Sequence, residues 1–207
     1  MKEVLCIDKK AFFHKGLQPS IKKVWVPEVD DLFNQEVSVA AQHFANSAPH
    51  LLQVVPYITL VDTSTGEIFV YVDQVSRLCS IGLTSPVYVE PTIDRPIVEH
   101  LALASSYLCQ RYLNMVVSGQ LYDQFKAKYI YKGCGVIYVP GCTHTSKKIA
   151  VASFLEVDKE SLIIDHQDVA KGQWMRPGNL VRHIDSANIT IDPWSSMVLE
   201  VLSPPLY

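Results

Sequence analysis

The spacing of apolar residues along the chain predicts three helices. Between residues 30 and 44, apolar side chains recur at steps of three and four, and an aspartate is placed to cap the helix start. A second helix is predicted over Ile97–Leu113, preceded by Asp94 as its cap and by Pro96, which suits a first turn. A third is predicted over Asp192–Leu202, with its first residue as the cap.

Runs of β-branched and apolar residues between turn residues predict several strands. The segment Gln53–Val61 is apolar almost throughout and is interpreted as a central strand, and the turn cluster Thr63–Gly66 after it predicts a hairpin. The predicted strands are Gln53–Val61, Glu67–Val72, Cys79–Leu83, Lys128–Tyr131, Gly135–Tyr138, Ala150–Val157 and Lys171–Trp174, the last leading into a loop. Helices and strands in this order predict an α/β sandwich with a mixed sheet.

Composition and charge limit the classes of partner. Apolar residues make up 48% of the 207 residues and charged residues 19%, below the roughly 25% usual in soluble domains, so a substantial core is expected. The formal charge of −3 provides no bulk attraction to nucleic acid or to an anionic membrane. No apolar run approaches the roughly 18–20 residues of a membrane helix, and the N-terminus does not resemble a signal peptide. We therefore expect a cytoplasmic, intracellular protein.

The cysteines give weak grounds for a metal site. Five are present, an odd number in a chain too long to need a disulfide framework. Cys134, Cys142 and His144 lie close together in GCGVIYVPGCTHT. Zinc would need a fourth ligand and usually a shorter spacing between the cysteines. We interpret this group as buried thiols and a loop histidine.

Four stretches resemble the Nudix (MutT-like) family. QVVPYITLVDTSTGEIFVY looks like the opening hairpin of that family, and CSIGLTSPVYVEP resembles the entry to its Nudix loop. IAVASFLEVD is similar to a later central strand, and GQWMRPGNL followed by DPWSSMVLEVL resembles its G-x-W turn and closing helix. The resemblance implies a Nudix-like α/β/α sandwich with a mixed sheet over residues 51–207, after an N-terminal extension with a helix over residues 1–50. It also implies that Trp174 and Trp194 are both largely buried.

The resemblance further locates the family's metal-binding positions on the predicted second helix. An active Nudix motif runs G-x₅-E-x₇-R-E-U-x-E-E-x-G-U, with U aliphatic, and its glutamates gather Mg²⁺ or Mn²⁺, which polarises a diphosphate and activates water. Aligned on this motif, Ser106 occupies the arginine position and Tyr107 the first glutamate. Gln110 and Arg111 occupy the paired glutamates, and Tyr88 the loop glutamate. The resemblance therefore implies a degenerate member that lacks the metal ligands.

Other charged residues leave alternatives open. A shifted alignment brings Glu90 or Glu99 near the pocket, although Asp94 fits a helix cap and Glu99 complements the positive end of the helix dipole. Lys147 and Lys148 can contact a phosphate or face water, and we favour water.

We therefore expect a non-catalytic protein-binding or adaptor module with no cofactor and no metal. The alternative is a protein that binds a nucleotide or phosphate ligand, or a Nudix-type hydrolase with a relocated metal site. In either case the ancestral pocket is predicted at Tyr88, Tyr107, Gln110 and Arg111.

Overall fold

A computed structural model describes residues 2–14, 24–25, 37–89, 97–113, 119–131, 134–139, 146–162, 169–187 and 189–202. The strands are β1 (Glu3–Asp8), β2 (Val24–Trp25), β3 (Val37–Ala41), β4 (Leu51–Asp62), β5 (Ile68–Asp73), β6 (Cys79–Ser80), β7 (Gly82–Thr84), β8 (Tyr88–Val89), β9 (Cys134–Ile137), β10 (Lys148–Val157) and β11 (Val169–Met175). The helices are α1 (Lys9–His14), α2 (Gln42–Ser47), α3 (Ile97–Leu113), α4 (Gly119–Tyr131), α5 (Pro177–Ala187) and α6 (Pro193–Leu202). None of these helices has the length and apolar character that crossing a bilayer requires.

The sheet is mixed and is built around β4. This strand pairs in parallel with β10 along ten residues, from Gln53 opposite Lys148 to Asp62 opposite Val157. β4 also pairs antiparallel with β5 and with β7. Further out, β9 pairs antiparallel with β10, and β11 pairs antiparallel with β5. The β4 sequence LLQVVPYITLVD is apolar on both faces because helices cover both sides of a central strand.

Two hydrophobic clusters make the fold a three-layer sandwich. On one face of the sheet, buried residues of α3 and α4 pack against it, with Leu108 and Phe125 at 2% and 0% exposure. On the other face, Leu180 of α5 and the buried side of α6 pack against Val55 and Val70. A third cluster joins β1 to the short helix α2.

Most of the predicted elements are confirmed. The central strand and its hairpin are observed, α3 spans the predicted Ile97–Leu113, and the strands at β9, β10 and β11 lie where expected. The C-terminal helix is also confirmed, and the Asp192 carboxylate accepts a hydrogen bond from the Ser195 amide at 2.9 Å, as a capping residue does. Asp94 lies outside the described residues.

Three predictions of local structure are wrong. Residues 37–41, placed in a helix, form β3, because they pair antiparallel with β1 over five positions. Residues 128–131, predicted as a strand, are the last turn of α4, which packs against α3. The segment after Trp174, predicted as a loop, contains helix α5.

Strands β1, β2 and β3, which lie within the first 50 residues, belong to the same sheet as the later strands. β1 pairs with β3 within this segment, and it also pairs with β4 and β8 beyond it. The domain boundary at residue 50 stays a prediction. The pairing across it argues that residues 3–8 fold together with the region that follows.

Candidate functional site

Three of the four predicted pocket residues share the outer face of α3. Tyr107 is 56% exposed, and Gln110 and Arg111 follow it at steps of three and four, so all three point away from the core. The Arg111 guanidinium carbon lies 5.8 Å from the ring centroid of Tyr112. This face offers an aromatic ring, an amide and a permanent positive charge, and no carboxylate.

The fourth predicted residue lies on a different element. Tyr88 is in β8 and is 47% exposed. The Lys2 ammonium group lies 4.8 Å from the centroid of its ring, a cation–π geometry. The structure therefore places Tyr107, Gln110 and Arg111 on one face of a helix and Tyr88 on a separate strand.

The remaining acid of α3 is already paired. Glu99 is the one acidic residue in this helix, and its Oε1 lies 2.6 Å from the Lys126 Nζ of α4. The hydrogen bond that Lys126 donates to the Glu99 carboxylate raises the pKa of the Lys126 ammonium. Among the described residues no group of three or more His, Cys, Asp or Glu side chains is placed to hold a metal ion. Glu90, Cys142 and His144 lie outside the described residues.

A cavity of about 160 Å³ lies elsewhere, against the start of α6. Its walls come from β4, β5, β6, β7 and β10 as well as from α6, and its polar and charged lining includes Tyr57, Asp73, Ser80, Thr84, Lys148 and Asp192. Val75, which also lines it, is 78% exposed, so the cavity reaches the surface at the turn after β5. None of the four residues predicted from the sequence lines this cavity.

A buried hydrogen-bond network forms the inner wall. The hydroxyl oxygens of Tyr57 and Ser195 lie 2.6 Å apart, and the Ser195 hydroxyl donates to the Asp192 carboxylate at 2.9 Å. Tyr57 also donates to the same carboxylate oxygen at 3.3 Å. Burial raises the pKa of the Asp192 carboxyl, and burial followed by the nearby Asp192 charge raises that of the Tyr57 phenol. The central strand is thus fixed to the start of α6.

Gly82 allows the Tyr57 ring to take this position. A Cβ atom at Gly82 would lie 2.0 Å from Tyr57 Cε1, well inside any carbon–carbon contact. The Gly82 carbonyl accepts a hydrogen bond from the Tyr71 hydroxyl at 2.9 Å. Trp194 completes the wall, with its ring edge-on to Tyr57 at a centroid distance of 5.7 Å. The glycine is therefore required by close approach.

Two donors at the cavity have no partner among the described residues. The indole Nε1 of Trp194 is buried and makes no hydrogen bond there. Lys148 is partly buried, and this desolvation lowers the pKa of its ammonium group. Within the described part of the chain it forms no ion pair. The expectation that Lys148 faces water stays a prediction, because its side chain is partly buried and lines a cavity that opens to the surface.

The sequence analysis did not predict this cavity. Its wall unites Tyr57 with Asp192 and Ser195, 135 and 138 positions further along the chain. These residues lie in segments that carry the family resemblance, but no sequence pattern relates them to one another. The pairing of β6 with the segment before α6 helps to bring them together: the Cys79 amide donates to the Thr190 carbonyl at 3.0 Å.

Known structures share this architecture. Tm1382, a candidate Nudix hydrolase, superimposes with a TM-score of 0.70 at 13% identity, with 97% of each chain covered. DR0079 from Deinococcus radiodurans gives a TM-score of 0.50 at 13% identity and covers 87% of this chain and 99% of its own. No protein-family model and no curated protein sequence matches the chain.

Proposed function

We propose that this chain, which has the Nudix fold, acts by binding a partner protein and not by metal-dependent hydrolysis. The observation that carries the proposal is the outer face of α3. Where the resemblance calls for glutamates, the helix presents Tyr107, Gln110 and Arg111, and its one acid, Glu99, is ion-paired with Lys126.

The chemistry of this face is unsuited to divalent cations. Mg²⁺ takes oxygen ligands, usually carboxylates, and needs them to polarise a phosphate and activate water. Tyrosine is neutral near pH 7, glutamine offers a neutral carbonyl, and arginine is permanently cationic. A unit positive charge 4 Å from another costs roughly 4 kcal/mol at an effective dielectric constant of about 20. The Arg111 position therefore opposes metal binding.

The same side chains suit a protein interface. Tyrosine and arginine are enriched at interfaces and among the residues that contribute most of the binding energy. Tyr107 is exposed at 56%, and Arg111 lies one turn further along the same helix. A planar guanidinium beside an aromatic ring can bind a carboxylate on a partner through two hydrogen bonds. We therefore propose α3 as the contact surface.

The absence of hydrolysis is tested with a panel of nucleoside diphosphate derivatives incubated with Mg²⁺ and with Mn²⁺. We expect no turnover by the wild type. Turnover that disappears in Glu90→Gln or Glu99→Gln would contradict the proposal and would support the alternative of a relocated metal site. An Arg111→Glu variant serves as a control for whether one restored acid on α3 suffices for metal binding, measured by calorimetry.

The contact surface is tested by quantitative affinity capture with the double variant Tyr107→Ser/Arg111→Ser. We expect the proteins captured by the wild type to be lost. The matched control is Val181→Ser/Arg182→Ser, which removes an exposed apolar residue and an arginine from α5 and should leave capture unchanged. Equal capture by wild type and both variants would contradict the assignment of α3.

The alternative is a nucleotide or phosphate ligand at the same face. The exposed Arg111 beside the Tyr112 ring favours it, because guanidinium groups bind phosphate and aromatic rings stack on bases. Thermal unfolding with nucleotides, with and without Mg²⁺, separates the two functions because a bound ligand raises apparent stability. A shift abolished by Arg111→Ser would support the alternative.

A further inference from the structure

We infer that the cavity at the start of α6 is a binding site for a small zwitterion, a molecule that carries one carboxylate and one ammonium group on a short apolar body, such as a free amino acid. The cavity is lined by residues of the sheet, the turns and α6 and by none of α3, so this inference does not depend on the proposed function.

One cation suits the carboxylate of such a ligand. Lys148 lines the cavity and forms no ion pair in the described part of the chain. A partly buried ammonium group costs free energy unless it is paired, so a ligand carboxylate there would be favourable. The ligand carboxylate would accept a charge-assisted hydrogen bond from Lys148.

Two carboxylates suit the ammonium group of the ligand. In Asp192 one oxygen, Oδ2, accepts from the Ser195 amide, the Ser195 hydroxyl and the Tyr57 hydroxyl. In Asp73 one oxygen, Oδ1, accepts from the amides of residues 75 and 76 and from the Ser76 hydroxyl. Each carboxylate thus keeps its second oxygen without a partner among the described residues. An ammonium group, with three donors, matches them.

The arrangement of opposite charges excludes simpler ligands. Lys148 and the two aspartates line one cavity, yet no ion pair joins them. Partly buried charges are costly unless they are paired. A carboxylate alone would leave the aspartates unpaired, and an amine alone would leave the Lys148 ammonium unpaired. A zwitterion pairs its carboxylate with the Lys148 ammonium and its own ammonium with the two aspartates.

Volume sets the size of the ligand. The cavity measures about 160 Å³. A cavity of roughly 150 Å³ holds one benzene molecule, so this one holds about six to ten non-hydrogen atoms. Leu78, Tyr71 and Trp194 provide apolar contact for a short side chain. A nucleotide is several times too large.

The test is isothermal calorimetry of the full chain with free L-valine and L-leucine as probes, beside isovalerate and isoamylamine, which each carry one of the two charges. We expect saturable binding of at least one amino acid, with the singly charged analogues weaker by about tenfold or more, since one charged hydrogen bond contributes about 1.5–3 kcal/mol. AMP should not bind at the cavity.

Variants locate the binding. Lys148→Met keeps the apolar stem and removes the charge, and Asp73→Asn keeps an oxygen acceptor for the turn and removes the opposite charge. We expect each to weaken binding by about tenfold or more. Lys147→Met is the matched control: it removes a neighbouring lysine that does not line the cavity and bonds instead to the Asn46 carbonyl. It should change affinity by less than about twofold.

Three results would overturn the inference. The first is no saturable binding of any of the common free amino acids to a protein whose thermal unfolding shows that it is folded. The second is binding that is unchanged in both Lys148→Met and Asp73→Asn. The third is isovalerate or isoamylamine binding as tightly as the amino acids, or AMP binding that Lys148→Met abolishes, which would assign the cavity to an anion, a cation or a nucleotide.

Discussion

The substitution Gly82→Ala adds one methyl group at the most tightly packed glycine that the structure describes at the cavity. The new Cβ would lie 2.0 Å from Tyr57 Cε1, 2.2 Å from Cζ and 2.5 Å from Cδ1. Carbon atoms normally pack at about 3.5–4.0 Å, so the ring would have to move by roughly 1.5 Å. Tyr57 is 1% exposed, and its hydroxyl is held by Ser195 and Asp192. The ring therefore cannot move without cost.

Two contributions lower the free energy of unfolding of the Gly82→Ala variant. Overpacking a buried site typically costs about 1–3 kcal/mol in strain and displaced neighbours. Displacing the ring also breaks or lengthens the bond between the Tyr57 and Ser195 hydroxyls, now 2.6 Å, at about 0.5–1.5 kcal/mol. We expect the free energy of unfolding to fall by about 3 kcal/mol. Such a loss is large against the roughly 5–15 kcal/mol that stabilises a typical domain.

The measurement is urea unfolding at 25 °C followed by tryptophan fluorescence, with Gly178→Ala as the matched control. Gly178 has nothing within 4 Å of the added Cβ and lies in α5, so alanine there should be neutral or stabilise by up to about 1 kcal/mol. Adding Tyr57→Leu to Gly82→Ala should recover part of the loss, because the two residues touch. A loss below about 1 kcal/mol, or purely additive effects, would refute the packing described for Tyr57.

Further predictions concern the two tryptophans and one buried carboxylate. Trp194→Ala should cost about 3–5 kcal/mol in the same urea assay, while Trp174→Ala should cost clearly less, because Trp174 is only partly buried; equal losses would contradict this. Asp62→Asn should be destabilising at pH 7, because hydrogen bonds from the Ser64 and Thr65 side chains hold the pKa of the Asp62 carboxyl far below its ordinary value of 3.8. A lowered pKa stabilises the fold above the unfolded value, so the difference from wild type should shrink as the pH falls below about 4; a constant difference would contradict it.

The sequence predicts elements whose environment is uniform along their length. β4 and α3 are recognised because a central strand is apolar throughout and a packed helix repeats at steps of three and four. The helix predicted for residues 37–41 is wrong because these residues, despite their helical spacing, pair with β1 as a strand. The sequence KYIY at residues 128–131 predicts a strand because aromatic and β-branched residues favour strands, yet these residues continue the helix α4, which packs against α3. Tertiary context decides both cases.

The burial of the two tryptophans shows the same limit. Both were expected to be largely buried, and Trp194 is so almost completely, at 3% exposure. Trp174 packs against the core but is less buried, because its strand β11 pairs with β5 at the end of the strand order. Its ring contacts Phe69 at a centroid distance of 5.5 Å. An apolar aromatic residue in a strand indicates a core contact, and only the strand order shows whether helices cover both of its sides.

The two proposals rest on residues of different elements, and this separation is itself an argument. The proposed contact surface consists of exposed residues of α3, whereas no α3 residue lines the cavity, and Tyr57 and Trp194 of its inner wall belong to the cluster with α6. A substitution on the exposed side of α3 removes no contact from the buried network of Ser195 and Asp192. Sites that share no partner usually contribute additively to free energy. Ligand binding in the cavity should therefore survive loss of the α3 surface, and each function can be tested in the presence of the other.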